Sequence, residues 1–145
     1  MQGWRAIWRG IHPFELESSG LIQALRELAG RTNNKVPCRF ESPREIRGLE
    51  DGLAMNLYRI GQEAVLNALR HARPGAIEIK LQPQNGEVVL SVCDDGQAMP
   101  KDERTRGLGI HLMKYRANVS GGTLEIDSKD GRGTIVTCRI PLNSM

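Results

Sequence analysis

The stretch Tyr58–Ala72, YRIGQEAVLNALRHA, decides how the chain folds. It closes a longer helical run from Leu53. At about 100° per residue, Leu53, Leu57, Ile60, Ala64 and Ala68 form one broad apolar arc, which Tyr58, Val65, Leu69 and Ala72 extend. The polar residues Asn56, Arg59, Glu63, Asn67 and Arg70 share a sector of roughly 80°. A helix apolar around most of its girth is expected to be mostly buried. Glu63 and Asn67 lie four apart, so they stack on the polar sector.

Working outward, apolar spacing and turn residues set the other elements. Trp4, Ile7, Trp8 and Ile11 sit at helical spacing in Met1–Ile11. This segment reads as the end of a helix that packs elsewhere, or as a membrane-surface helix. His12-Pro13 stops it. A helix is expected over Leu16–Ala29, a turn at Asn33-Asn34 and a strand over Val36–Phe40. Ser42–Glu50 is a polar loop, and Arg73-Pro74-Gly75 ends the long helix. Strands Ala76–Gln82 and Glu87–Cys93 join through Asn85-Gly86, a hairpin dipeptide. Gln97–Arg106 is a surface loop, Leu108–Val119 a helix broken by Gly121-Gly122, and Thr123–Ser128 pairs with Gly133–Ile140. The order α-β-α-β-β-α-β-β implies an α+β fold, helices and a mixed, largely antiparallel sheet in two layers.

With 145 residues, 39% of them hydrophobic and 26% charged, the chain suits one soluble domain. Its net charge of +3 is mild and spread out. That is weak evidence for nucleic acid and suits an anionic small ligand such as a nucleotide equally, and no nucleic-acid partner is expected. Cys38, Cys93 and Cys138 lie apart in apolar stretches and read as small buried hydrophobes in a reducing compartment. No run approaches a membrane span and no signal-peptide pattern stands out. The reading is cytoplasmic, with any membrane attachment made through a parent segment.

Three groups of residues are candidates for chemistry. The polar sector is either a solvent face or a ligand face. As a ligand face, it supplies an amide oxygen (Asn67), a carboxylate (Glu63) and a cation (Arg70), which suit Mg²⁺ and phosphates. Cys93-Asp94-Asp95-Gly96 is either an ordinary turn or a carboxylate that accepts from an amine, with Gly96 admitting a flat ring. Gly107-Leu108-Gly109 precedes a helix whose first amides have no internal partner. It is either a plain junction or a phosphate seat. Gly131-Arg132-Gly133-Thr134 is a hairpin turn or a backbone wall with a hydroxyl.

In order and spacing these motifs resemble the GHKL ATPase superfamily, and within it histidine kinases of the NarX/DesK type. Tyr58–Ala72 carries the resemblance most specifically, and GIHPFELESSGLIQALRELA looks like the segment following that subfamily's dimerisation helices. The resemblance implies a Bergerat-type two-layer sandwich with three main helices on the sheet. Residues 1–13 would end a dimerisation helix or linker, and 14–145 would be the ATP-binding domain. It implies that Asn67 ligates Mg²⁺, Glu63 acts as base or metal helper, and Arg70 and His71 lie near the phosphates. Asp94 would read adenine beside Gly96, and Gly107, Leu108 and Gly109 would close the nucleotide lid. Gly131, Gly133 and Thr134 would form the last motif, the threonine supporting Asp94.

There are two departures. Position 98 is Ala98, where the family pattern has glycine. His12, His71 and His111 do not match the accepting-histidine motif. The phosphoacceptor is therefore expected on dimerisation helices outside these residues, and a response regulator beyond them. The expected activity is transfer of the ATP γ-phosphoryl group to that histidine, and without it the fragment should be inactive alone. The rivals are an anti-sigma-type serine kinase and a non-catalytic interaction module.

Overall fold

The computed structural model describes residues 18–47, 49–97, 107–129 and 133–142. The Met1–Ile11 helix, most of the Gln97–Arg106 loop (Ala98 included) and Gly131 lie outside them. Helix α1 spans Ser18–Thr32, ending three residues after the expected Ala29, while Leu16 and Glu17 lie outside the described residues. Its last turn is tied down. The Thr32 hydroxyl donates to the Leu28 carbonyl at 2.8 Å, and the Arg31 guanidinium to the Tyr58 hydroxyl at 3.3 Å. The Asn33 side chain then accepts from the Cys38 amide at 3.0 Å, where strand β1, Cys38–Glu41, begins.

The polar loop before the long helix is more than surface: Ile46 and Leu49 are buried in the core. Helix α2 spans Asp51–Asn67, starting two residues before the expected Leu53. It does not run on as regular helix to Ala72. Ala68–Ala72 instead form a π-helical turn, closed by Arg73 in the left-handed region at φ 48°. Pro74 bars Arg73 from the right-handed region, and the helix meets that stop with a widened turn, a form often found at functional sites.

Strands β2 (Ile77–Gln84) and β3 (Glu87–Asp94) follow. Their hairpin turns through Asn85 and Gly86, both at positive φ, as a primed turn requires. Helix α3 spans Leu108–Val119, and strands β4 (Thr123–Lys129) and β5 (Gly133–Pro141) complete the chain. The sheet order is β1-β2-β3-β5-β4. β1 lies parallel to β2, so the crossover through α2 is a βαβ unit, and the other pairs are antiparallel.

The register aligns apolar rows on one face. Ile79, Val92 and Val136 form one row, and Leu81, Leu90 and Cys138 the next. Both join Leu57, Ile60 and Ala64 of α2 in a single buried cluster. The opposite face carries cross-strand charge pairs, such as Arg39 with Glu78 at 2.9 Å, and is solvated. The three helices therefore cover one face of a five-stranded mixed sheet.

Leu57 is fully buried in this cluster, whereas Leu112 of α3 is 40% exposed. Leu57→Ala should lower the unfolding free energy by about 2–5 kcal/mol and Leu112→Ala by less than about 1 kcal/mol, as read by denaturant titration.

Candidate functional site

The register that builds the core also places a carboxyl. Cys38, Ile77, Asp94, Thr134 and Ser128 pair across the sheet in one row. Side chains in a row share a face. Ile77 and Thr134 are buried, so Asp94 emerges on the side the helices cover. Its Oδ1 accepts from the Gly96 amide at 2.9 Å. Burial pushes the Asp94 carboxyl above its ordinary pKa. The Gly96 and Thr134 amides pull it back, and the charge of Asp95 adds to the rise.

Gly133 backs this corner. Its φ is 84°, and a Cβ there would overlap the Asp94 carbonyl oxygen. The Thr134 hydroxyl pairs with the Ser128 hydroxyl at 2.9 Å. The support Thr134 gives Asp94 comes from its backbone amide.

Asp95 points elsewhere. It is exposed, and its Oδ1 accepts from the Gly75 amide at 2.7 Å and the Ala76 amide at 2.9 Å. The Ala76 and Gly75 amides hold it below the usual carboxylate range. Strand alternation separates the two aspartates, since Val92 and Asp94 share a phase and Val92 is buried.

The polar sector of α2 is not a solvent face along its length, because α3 lies against it. The Asn56 Nδ2 donates to the Ser120 hydroxyl, just past α3, at 2.8 Å. About two turns further on, the Glu63 carboxylate lies against Gly109, with no room between them for a Cβ. Asn67 is only 5% exposed, and its Nδ2 has no partner among the described residues. Arg59 and Arg70 lie exposed at the margins of the sector. His71 is placed by its backbone in the π turn.

Gly107, at φ 83°, leads into α3, and Leu108 opens the helix with its side chain 71% exposed. No side chain caps that first turn, and helix-start amides of this kind favour anions. Glu63 therefore stands where a helix N-terminus favours negative charge.

No cluster of three or more His, Cys, Asp or Glu side chains able to hold a metal occurs among the described residues. Magnesium needs no such cage. It keeps several waters and binds through one or two protein oxygens plus substrate phosphates. The Asn67 amide fits that demand. A buried polar group without a partner costs about 1–3 kcal/mol, and the amide can turn end over end to present its oxygen. A hollow of about 320 Å³ opens at the same sheet end, lined by Pro37, Arg39, Ala76, Ile77, Glu78, Cys93, Asp94 and Asp95. Nothing in the sequence pattern marks it.

Residues 52–144 match the family model described as Histidine kinase-, DNA gyrase B-, and HSP90-like ATPase. The chain is 31% identical over 139 residues to the sensor histidine kinase LiaS of Bacillus subtilis, covering 95% of this chain and 39% of LiaS. It is 33% identical over 140 residues to the signal transduction histidine-protein kinase/phosphatase DegS of the same organism, covering 90% of this chain and 36% of DegS. The chain thus spans less than half the length of these relatives. Among solved structures, the catalytic domain of histidine kinase ThkA superposes with a TM-score of 0.70 at 20% identity, covering 87% of this chain and 94% of that one. The ATP binding domain of PrrB from Mycobacterium tuberculosis also gives 0.70 at 20% identity, covering 86% and 93%. Both share the fold. Among the described residues, no helix is long and apolar enough to cross a membrane.

The two glycines at the site should respond differently to a methyl group. Gly133→Ala forces a left-handed backbone against fixed carbonyl oxygen, and should cost at least about 1–3 kcal/mol of stability. Gly109→Ala meets only the end of the Glu63 side chain, and should keep stability within about 1 kcal/mol of the parent while displacing that carboxylate. Thermal unfolding of the two variants checks the contrast.

Proposed function

Because the chain belongs to the histidine kinase-, DNA gyrase B- and HSP90-like ATPase family, we propose that it is the ATP-binding catalytic part of a two-component sensor histidine kinase. The observation that carries this reading is the buried, unpartnered amide of Asn67. It lies one helical turn from Glu63, which faces the glycine-led start of α3. The relatives LiaS and DegS are named as histidine kinases, and the chain matches 39% and 36% of their lengths.

In this reading Asp94 accepts a hydrogen bond from the 6-amino group of adenine. The Gly96 and Thr134 amides fix its carboxyl, and Gly96 leaves room for the ring. Asn67 and Glu63 hold Mg²⁺, which when bound neutralises phosphate charge. The open amides of α3 after Gly107, around Leu108 and Gly109, receive phosphate oxygens. Arg70 adds positive charge, and His71 belongs to the same helix end. Glu63 would help hold the metal or take a proton. Catalysis of this kind is mostly positioning and charge neutralisation.

The acceptor is a histidine on dimerisation helices of the same protein, and an aspartate of a response regulator follows it. One surface supports a helical partner. Leu108, Leu112, Tyr115 and Val119 are all exposed on α3. Their steps of four, three and four residues make an apolar seam of the kind helices use to meet. The seam starts at the phosphate seat. The protein is read as working on the cytoplasmic side of the membrane, with any anchor in another segment.

A fluorescent ATP analogue, titrated with and without Mg²⁺, tests the site. The parent should bind, and more tightly with metal. Asn67→Ala should abolish the metal dependence, and Asp94→Asn should weaken binding about 10- to 100-fold, the worth of a hydrogen bond to a charged group. No binding at millimolar nucleotide would contradict the reading.

Transfer is tested by adding the histidine-bearing helical segment of the same protein. Acid-labile label should appear on its histidine. Tyr115→Glu should reduce that labelling severalfold while nucleotide affinity holds. Acid-stable label on serine would contradict the assignment.

A further inference from the structure

Asp95 lies outside the machinery described above, yet its hydrogen bonds link the two halves of the site. One half is Asp94, at the end of β3. The other is Asn67, on α2. Along the chain they are joined through the π-helical turn Ala68–Ala72, the left-handed Arg73 and the short segment into β2. That path holds no regular α-helix. Across it, Asp95 Oδ1 accepts from both the Gly75 and Ala76 amides, at 2.7 and 2.9 Å. The Asp95 amide returns a longer bond to the Ala76 carbonyl at 3.4 Å. On the other side, a Cβ at Gly133 would come within 2.9 Å of the Asp95 Cα. The residue is therefore held between β5 and the exit of α2.

We propose that Asp95 is a positioning residue, clasping the segment that leaves α2 and so setting the span between the metal side and the adenine side of the nucleotide site. The inference rests on the nucleotide site assigned above. A ligand that bridges both halves needs the span, and a ligand that touches one half does not. Asp95 is exposed, so solvent screens its charge and its geometry does the positioning. An amide oxygen in the same place can accept from the same two donors.

The experiment compares the parent, Asp95→Ala and Asp95→Asn in two titrations, one with Mg²⁺ and a non-hydrolysable ATP analogue, one with adenosine. Asp95→Ala should bind the magnesium nucleotide about tenfold or more weakly, with adenosine affinity within about twofold of the parent. Asp95→Asn should restore magnesium-nucleotide affinity to within about threefold. General destabilisation would not separate the two ligands in this way. Should Asp95→Ala not fold, Asp95→Ser, too short to reach both amides, carries the same comparison.

Equal losses for both ligands, or failure of Asp95→Asn to rescue, would overturn the clasp. A parent that binds while Asp95→Ala binds identically would overturn the clasp alone. A parent that binds neither ligand would overturn the functional reading, and the clasp with it.

Discussion

Strand register is the constraint on which the rest depends. Ile77 pairs with Asp94, and Asp94 with Thr134. A slip of one residue in the β2–β3 or β3–β5 ladder would turn every inward side chain outward. The rows Ile79–Val92–Val136 and Leu81–Leu90–Cys138 oppose it, since a slipped strand would send its two buried side chains of these rows into water. At roughly 1.5–3 kcal/mol each, that loss is a large part of the stability of a domain. The apolar core therefore decides where the carboxyl of Asp94 emerges, against the carboxyl's own preference for water.

The site costs the fold something. Ionised Asp94 is held with its pKa raised, so the folded state binds a proton more readily than the unfolded chain. The contribution of this group to stability is full below its ordinary pKa and is lost as pH rises through the raised value. Asn67 brings a second cost, a buried amide with an unused donor. Local features that oppose stability tend to gather where a ligand acts. Here they lie on the two sides of one fold, joined by the Asp95 contacts to Gly75 and Ala76.

Much of this was legible in the sequence, for identifiable reasons. Leu108–Val119 reads correctly to the residue because Gly107 and Gly121 bracket it, both at positive φ. The hairpin at Asn85-Gly86 reads from its dipeptide. The long helix reads from its apolar arc, but its π-helical end does not, since that depends on where Pro74 meets β2. Ile46 and Leu49 sit among charged residues, and only the packed core shows them buried. The role of Asp95 was hidden because its partners lie about twenty residues earlier, beyond any local pattern. The polar sector was ambiguous in the sequence, and only the packing of α3 against Asn56 and Glu63 shows that it is not a plain solvent face.

The most direct test is an NMR titration of the isotope-labelled chain with Mg²⁺ and a non-hydrolysable ATP analogue. Amide shifts should move together at Glu63–Arg70, at Asp94–Gly96, at Gly107–Gly109 and at Gly133–Thr134, with one affinity for all four. Shifts confined to the outer-face hollow around Arg39, Glu78 and Cys93, or different affinities at the helix and strand positions, would contradict a single nucleotide site between α2 and the end of β3.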